Sequence, residues 1–311
     1  MCPACVAAAA ECAAAVASGS CESDKLIFMN PLIEASWLAS RLQSPQTCVL
    51  DATLPPVGVI PPVDTRARYL AQHIPGAIFF DIDELSDHST SLPHMLPTAE
   101  AFARNMAGLG VSDNATIIVY EQEGVFSAAR AWWMLRTFGA QDVYVLDGGL
   151  RAWIETGQPT ESGAVQRVAA RFNAKLDGNA VNDFAGIQKM IAERSTKKSQ
   201  ILDARSAGRF AGTSPEPRAG ISSGHMPGAI SLPYTELTED GRLKSAEALR
   251  TIFSSKGVDI KQSVTTTCGS GVTAAVLALG LEIAGAKSVR LYDGSWAEYA
   301  QRPEAVIEKS H

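Results

Sequence analysis

His73-Ile74-Pro75-Gly76-Ala77-Ile78 and His225-Met226-Pro227-Gly228-Ala229-Ile230 are one phrase written twice, 152 positions apart, and their reading decides the fold. Each follows, at the same distance, an apolar run that ends in an acidic residue: Val49-Leu50-Asp51-Ala52 in the first half and Ile201-Leu202-Asp203-Ala204-Arg205 in the second. Recurrence of landmarks in the same order marks a duplicated structural unit. Further along, Ile117-Ile118-Val119-Tyr120 and the helical stretch 127–138 match Val264-Thr265-Thr266-Thr267 and the stretch 273–284. Leu146-Asp147-Gly148-Gly149 then matches Tyr292-Asp293-Gly294-Ser295, now at an offset of 146, so a loop is shorter in the second copy.

Within each copy, short β-branched runs alternate with helical patterns, which predicts an α/β unit with a mainly parallel sheet. The expected architecture is therefore two tandem domains, each a mainly parallel sheet flanked by helices, over residues 24–158 and 172–305. The stretch between them, 159–171, lies in a region with Gly157, Pro159 and Gly163 and no clear period, and reads as a linker.

Bulk properties agree with two soluble cores. The chain has 311 residues, 46% hydrophobic and 19% charged, more than one core usually holds. A net charge of -6 and the lack of a Lys/Arg stripe exclude nucleic acid as a partner. No stretch reaches the roughly 20 apolar residues of a bilayer span. Residues 1–23 are Ala-rich, with Glu11 and Glu22 but neither Lys nor Arg, unlike a mitochondrial presequence or a secretory signal. They are expected to be a disordered leader, and the location to be cytoplasmic.

Four of the six cysteines, at 2, 5, 12 and 21, crowd that leader, which is not the distribution of a disulfide framework. Cys2 and Cys5 have CxxC spacing without a second such pair. Cys48 lies in an apolar strand and reads as a small buried hydrophobe. Cys268 is different. It follows a strand, and Gly269-Ser270-Gly271-Val272-Thr273 leads from it into an apolar helix. A thiol at a helix N-terminus has the dipole and free N–H groups to favour its thiolate, which is the nucleophile. Gly269 and Gly271 let the backbone curl so that several N–H groups converge on one sulfur. At an offset of 146 the first-half counterpart of Cys268 is Gln122, so the fold itself does not require a cysteine there.

The Cys-Gly-Ser-Gly-Val-Thr loop after a strand, the two HxPGA phrases and the Asp-Gly-Gly and Asp-Gly-Ser turns resemble the tandem-rhodanese sulfurtransferases, in the branch that uses 3-mercaptopyruvate. The resemblance covers residues 26 to 300. It implies a persulfide on Cys268, cradled by Gly269, Gly271, Val272 and Thr273, with the first domain catalytically silent. It further implies a proton relay of Ser270, His94 and Asp83, two of them lent by the first domain. Arg209 and Arg218 match the arginines that hold the donor's carboxylate and ketone. No cofactor or metal is implied, and the sulfur would pass to a thiol acceptor such as thioredoxin, or to cyanide. Thiosulfate-preferring relatives carry basic residues after the cysteine, where this chain has Gly269 and Ser270.

Taken without the resemblance, Arg209 and Arg218 fit solvated loop charges as well as ligands, and His94 fits an ordinary loop position among prolines. His73 and His225 recur in both halves and so read as structural. A thiosulfate sulfurtransferase and a non-catalytic rhodanese-like binding module stand as alternatives. A phosphatase on the same fold needs an arginine where this chain has Ala274. Neither GxGxxG after a first strand nor GxSxG is present, which leaves dinucleotide binding and serine hydrolysis without support.

Overall fold

The computed structural model describes residues 30–56, 62–194 and 199–310; the leader and its four cysteines lie outside them. The first unit runs β1 (Leu32–Ile33), α1 (Ala35–Arg41), β2 (Thr47–Asp51), α2 (Thr65–Ala71), β3 (Ile78–Phe79), α3 (Ala99–Gly108), β4 (Thr116–Tyr120), α4 (Ala128–Thr137), β5 (Val143–Leu146) and α5 (Gly149–Glu155). The second runs β6 (Val181–Asn182), α6 (Phe184–Ala192), β7 (Ser199–Asp203), α7 (Ala207–Ala211), β8 (Ile230–Ser231), the hairpin β9 (Thr238–Glu239) and β10 (Arg242–Leu243), α8 (Ala246–Ser255), β11 (Ser263–Thr267), α9 (Val272–Ala284), β12 (Val289–Tyr292) and α10 (Ser295–Tyr299).

The five-stranded sheets have orders β1-β5-β4-β2-β3 and β6-β12-β11-β7-β8, and every pairing within them is parallel. The central strands read as continuous apolar or β-branched runs because helices cover both faces. Strand β2, Thr47-Cys48-Val49-Leu50-Asp51, is buried throughout.

The two units meet where α4 lies against α9, and buried residues of both halves form one continuous core. Helix α9 is apolar nearly all round, so it can pack on its own sheet and on α4 together. Its buried Leu277, Leu279 and Leu281 each contribute roughly 1.5–3 kcal/mol from area removed from water. Two polar contacts cross the boundary reciprocally: Asp293 Oδ2 accepts the Leu96 N–H at 2.7 Å, and Asp147 Oδ1 accepts the Leu243 N–H at 3.1 Å. The stretch expected as a linker and the residues that follow it lie along the first unit. Lys175 and Asp177 N–H groups bond the carbonyls of Phe138 and Thr137, and Phe172 meets Phe102 edge-on at 5.6 Å. Among the described residues, no helix is long and apolar enough to cross a membrane.

Candidate active site

Strand β11 delivers Cys268 to the carboxyl end of the second sheet, where open parallel sheets place their ligands. The start of α10 stitches the turn from behind. Trp296 N–H donates to Cys268 O at 2.9 Å, Ala297 N–H to Gly269 O at 3.0 Å, and the Cys268 N–H to Ser295 Oγ at 3.3 Å. Gly271, at φ 81°, turns the chain into α9, and a Cβ there would lie 2.9 Å from Arg130 Nη1. The sulfur-bearing residue thereby sits one short turn ahead of a 13-residue helix whose dipole favours an anion. Cys268 is 2% exposed yet lines a cleft of about 650 Å³.

The three residues expected to form a relay come together. His94 Nδ1 lies 3.0 Å from Ser270 Oγ, and His94 Nε2 lies 3.0 Å from Asp83 Oδ1. A carboxylate on Nε2 fixes the proton there, which leaves Nδ1 to accept from the serine hydroxyl. The bond from His94 holds the Asp83 carboxyl below its usual range, with the Arg218 charge adding in the same direction, so Asp83 stays ionised. Its side chain is 57% exposed, so the outer end of the relay meets solvent.

A basic wall faces the thiol. Arg209 lies over the cysteine loop, with its Nη2 2.8 Å from where a Cβ on Gly269 would be. That guanidinium is held by Glu216 Oε2, at 3.1 Å from Nε and 2.5 Å from Nη2. The other oxygen of Glu216 takes Arg205 Nη1 at 2.8 Å, and Arg205 Nη2 in turn binds Asp203 Oδ2 at 2.6 Å, at the end of β7. Arg205 also lies 4.0 Å over the Trp296 ring. This alternating series of charges runs from the sheet to Arg209, so the fork is oriented before any ligand arrives. Burial pushes the Arg218 pKa down, while negative charge at Cys268 acts on it in the opposite sense. Arg209, Arg218, Cys268, Gly269, Ser270, Val272 and Thr273 line the cleft from one side, and Thr53, Leu54, Asp83, His94, Gln122 and Phe126 from the other.

One sequence-based match is corrected. Strand β4 pairs Tyr120 with Asp51, and β11 pairs Thr267 with Asp203, which sets an offset of 147 at the strand ends and makes Glu121, not Gln122, the counterpart of Cys268. Between the strand end and equivalent positions of the following helix the first unit holds one residue more than the second, and this extra residue restores the offset of 146 seen beyond it. Glu121 is buried, and its carboxylate accepts from the Ser127 N–H at 2.7 Å and hydroxyl at 2.5 Å.

Sequence reasoning missed Glu216 and a buried ion pair, Arg130 Nη2 to Asp293 Oδ1 at 2.7 Å, that joins the two units under the site. In the sequence Asp293 reads only as a turn residue. It also missed Ser295, although Gly149 in the matching turn was a signal. Both occupy the left-handed region, at φ 49° and 62°, and only the serine brings a hydroxyl to the Cys268 N–H. Cys48 is fully buried, which pushes its thiol up to about 11. His73 and His225 do equivalent work. Each bonds a carbonyl through Nδ1, of Tyr69 at 2.8 Å and Phe210 at 2.9 Å, and stacks on that residue's ring.

Comparison with known proteins places the chain among relatives. The rhodanese-like domain family matches residues 34–156 and again 187–302. The 3-mercaptopyruvate sulfurtransferase of Escherichia coli is 42% identical over 276 residues, covering 89% of this chain and 97% of that protein. The thiosulfate sulfurtransferase of Gallus gallus is 40% identical over 280 residues, covering 87% and 93%. The crystal structure of SseA from Escherichia coli, described as a 3-mercaptopyruvate sulfotransferase of rhodanese fold, superposes with a TM-score of 0.79 at 41% identity, covering 86% of this chain and all of that one.

Proposed function

The chain belongs to the rhodanese family of sulfurtransferases, and from that premise we propose that it takes sulfur from 3-mercaptopyruvate onto Cys268 and hands it to a thiol acceptor. The observation that carries this reading is the meeting, in one cleft, of Cys268, two guanidinium groups and the Ser270-His94-Asp83 chain, with spacings of 3.0 and 3.0 Å. A planar 2-oxo acid with one carboxylate suits the forks of Arg209 and Arg218. The neutral residues Gly269 and Ser270 beside the sulfur suit a monoanion better than the dianion thiosulfate.

In the first half-reaction the Cys268 thiolate attacks the donor's sulfur. A sulfur–sulfur bond forms, the carbon–sulfur bond breaks, and its electron pair leaves on the enolate of pyruvate. The proton of the former donor thiol passes to carbon, with Ser270 and His94 as its carriers, so pyruvate departs and Cys268 keeps a persulfide anion. The N–H groups at the start of α9 would stabilise that anion as they do the thiolate. In the second half-reaction an acceptor thiolate, from a small thiol or a protein such as thioredoxin, attacks the outer sulfur and regenerates Cys268.

Intact-mass measurement after incubation with 3-mercaptopyruvate tests the reading. A gain of one sulfur, lost on adding a thiol and accompanied by pyruvate, is expected. No mass gain at Cys268, or a kcat/KM for thiosulfate above that for 3-mercaptopyruvate, would sink the donor assignment.

A further inference from the structure

Residues 94–96 are held in a shape that the repeat reaches with different side chains. The matching helix caps Thr98 and Ser245 set an offset of 147, so His94 corresponds to Gly241, and both lie in the left-handed region, at φ 58° and 76°. The first unit carries an imidazole where glycine rests more easily.

A second departure lies beside it. Helices α4 and α9 end in equivalent bonds, Ala140 N–H to Leu135 O and Ala286 N–H to Leu281 O, which align Arg130 with Val276. Both residues are fully buried. Burying the Arg130–Asp293 pair costs desolvation that a valine avoids, and apolar replacement of such a pair is often neutral or stabilising. The fold therefore gives no reason for the arginine. Its contacts do. Arg130 Nη2 donates to the His94 carbonyl as well as to Asp293, Nη1 reaches Gly271 O at 3.5 Å, and Asp293 Oδ2 takes the Leu96 N–H. The pair thus grips the backbone of His94 and of the residue two places on, and ties both to the turn that follows Ser270. In the reciprocal contact Asp147 takes the Leu243 N–H, but Arg242 beside it is 36% exposed and meets the Asp147 carbonyl and the exposed carboxylates of Glu34 and Glu155, not the Asp147 carboxylate. The aspartate-to-backbone bond is common to both halves. The buried guanidinium occurs where the loop carries His94.

We infer that Arg130 and Asp293 are positioning residues for sulfur transfer, holding His94 within hydrogen-bond distance of Ser270 across the boundary between the units. The inference rests on the relay proposed above. Displacement of a reacting group by about 1 Å can cost on the order of 10²-fold in rate.

The test is the double variant R130M/D293N, which removes both charges so that neither is left buried alone. Its thermal midpoint should match or exceed that of the wild type. Single-turnover pyruvate release should slow by on the order of 10²-fold, with KM little changed. Adding His94→Asn should cost nothing more, whereas adding Arg209→Lys should have its full separate effect on KM. An unchanged rate in the double variant, or a loss that multiplies with that of His94→Asn, overturns the inference and leaves the relay standing. An unchanged rate in His94→Asn alone overturns both. If the double variant does not accumulate folded, Asp293→Asn alone, which keeps an acceptor for the Leu96 N–H, is read by the same cycle with a smaller loss.

Discussion

The two units share a sheet order and a strand–loop–helix turn, and they differ in what they put at its base. The second presents Cys268 to a cleft; the first presents Glu121, folded back onto the N–H and hydroxyl of Ser127 at the start of its own helix. Both turns lead into a helix N-terminus, whose free N–H donors favour one negative atom. The first satisfies them with its own carboxylate and so has nothing left to offer a ligand. The second places a thiol there, and in the proposed mechanism the first lends it His94 and Asp83. A duplicated turn can be retired in one copy while its neighbouring loop is recruited by the other.

The largest contrast to test is between these two positions. Cys268→Ser should lower pyruvate release by on the order of 10³-fold or more, and Glu121→Gln should leave it near wild type; equal losses would erase the distinction between the halves. Alkylation at neutral pH should mark Cys268 and spare Cys48, whose thiol is pushed up to about 11. Next in size, His94→Gly gives the first unit the residue its repeat has. Single-turnover release should fall about 10²-fold or more without a fall in thermal midpoint, because glycine accepts φ 58° without strain. A smaller effect is expected from Glu216→Gln, which weakens the hold on Arg209. KM for 3-mercaptopyruvate should rise about tenfold with kcat little changed.

The smallest prediction concerns stability. Burial raises the Glu121 pKa, so the folded chain keeps this proton to higher pH than the unfolded chain does. Stability then declines as pH climbs from the ordinary glutamate value to the raised one, and is flat above it. Glu121→Gln should remove that decline and raise the thermal midpoint at neutral pH by a few degrees at most. A lower midpoint would mean that the charged carboxylate stabilises the turn.

The α/β architecture was legible because its markers are local: HxPGA turns, acidic strand ends and a glycine-bounded cysteine loop recur within short windows. The cleft was legible only through resemblance, since Ser270 and His94 lie 176 positions apart. Arg130 and Asp293 stayed hidden for a related reason. An arginine inside an apolar helix and an aspartate in a glycine turn each have an ordinary local explanation, and only the packing of α4 on α9 brings them together. The match of Cys268 with Gln122 failed by one residue because an insertion between strand and helix shifts the register there, and only the pairing of β4 with β2 reveals where the shift falls.

The reciprocal contacts across the boundary, Asp293 with Leu96 and Asp147 with Leu243, have the logic of an isologous interface, in which each copy offers its partner the same two groups. The two units meet here as the subunits of a two-fold dimer would, within one continuous chain. Two identical subunits must build two identical clefts, and every change in one appears in the other. Joined in a single chain, they are released from that symmetry, and one cleft can specialise with parts supplied by the other.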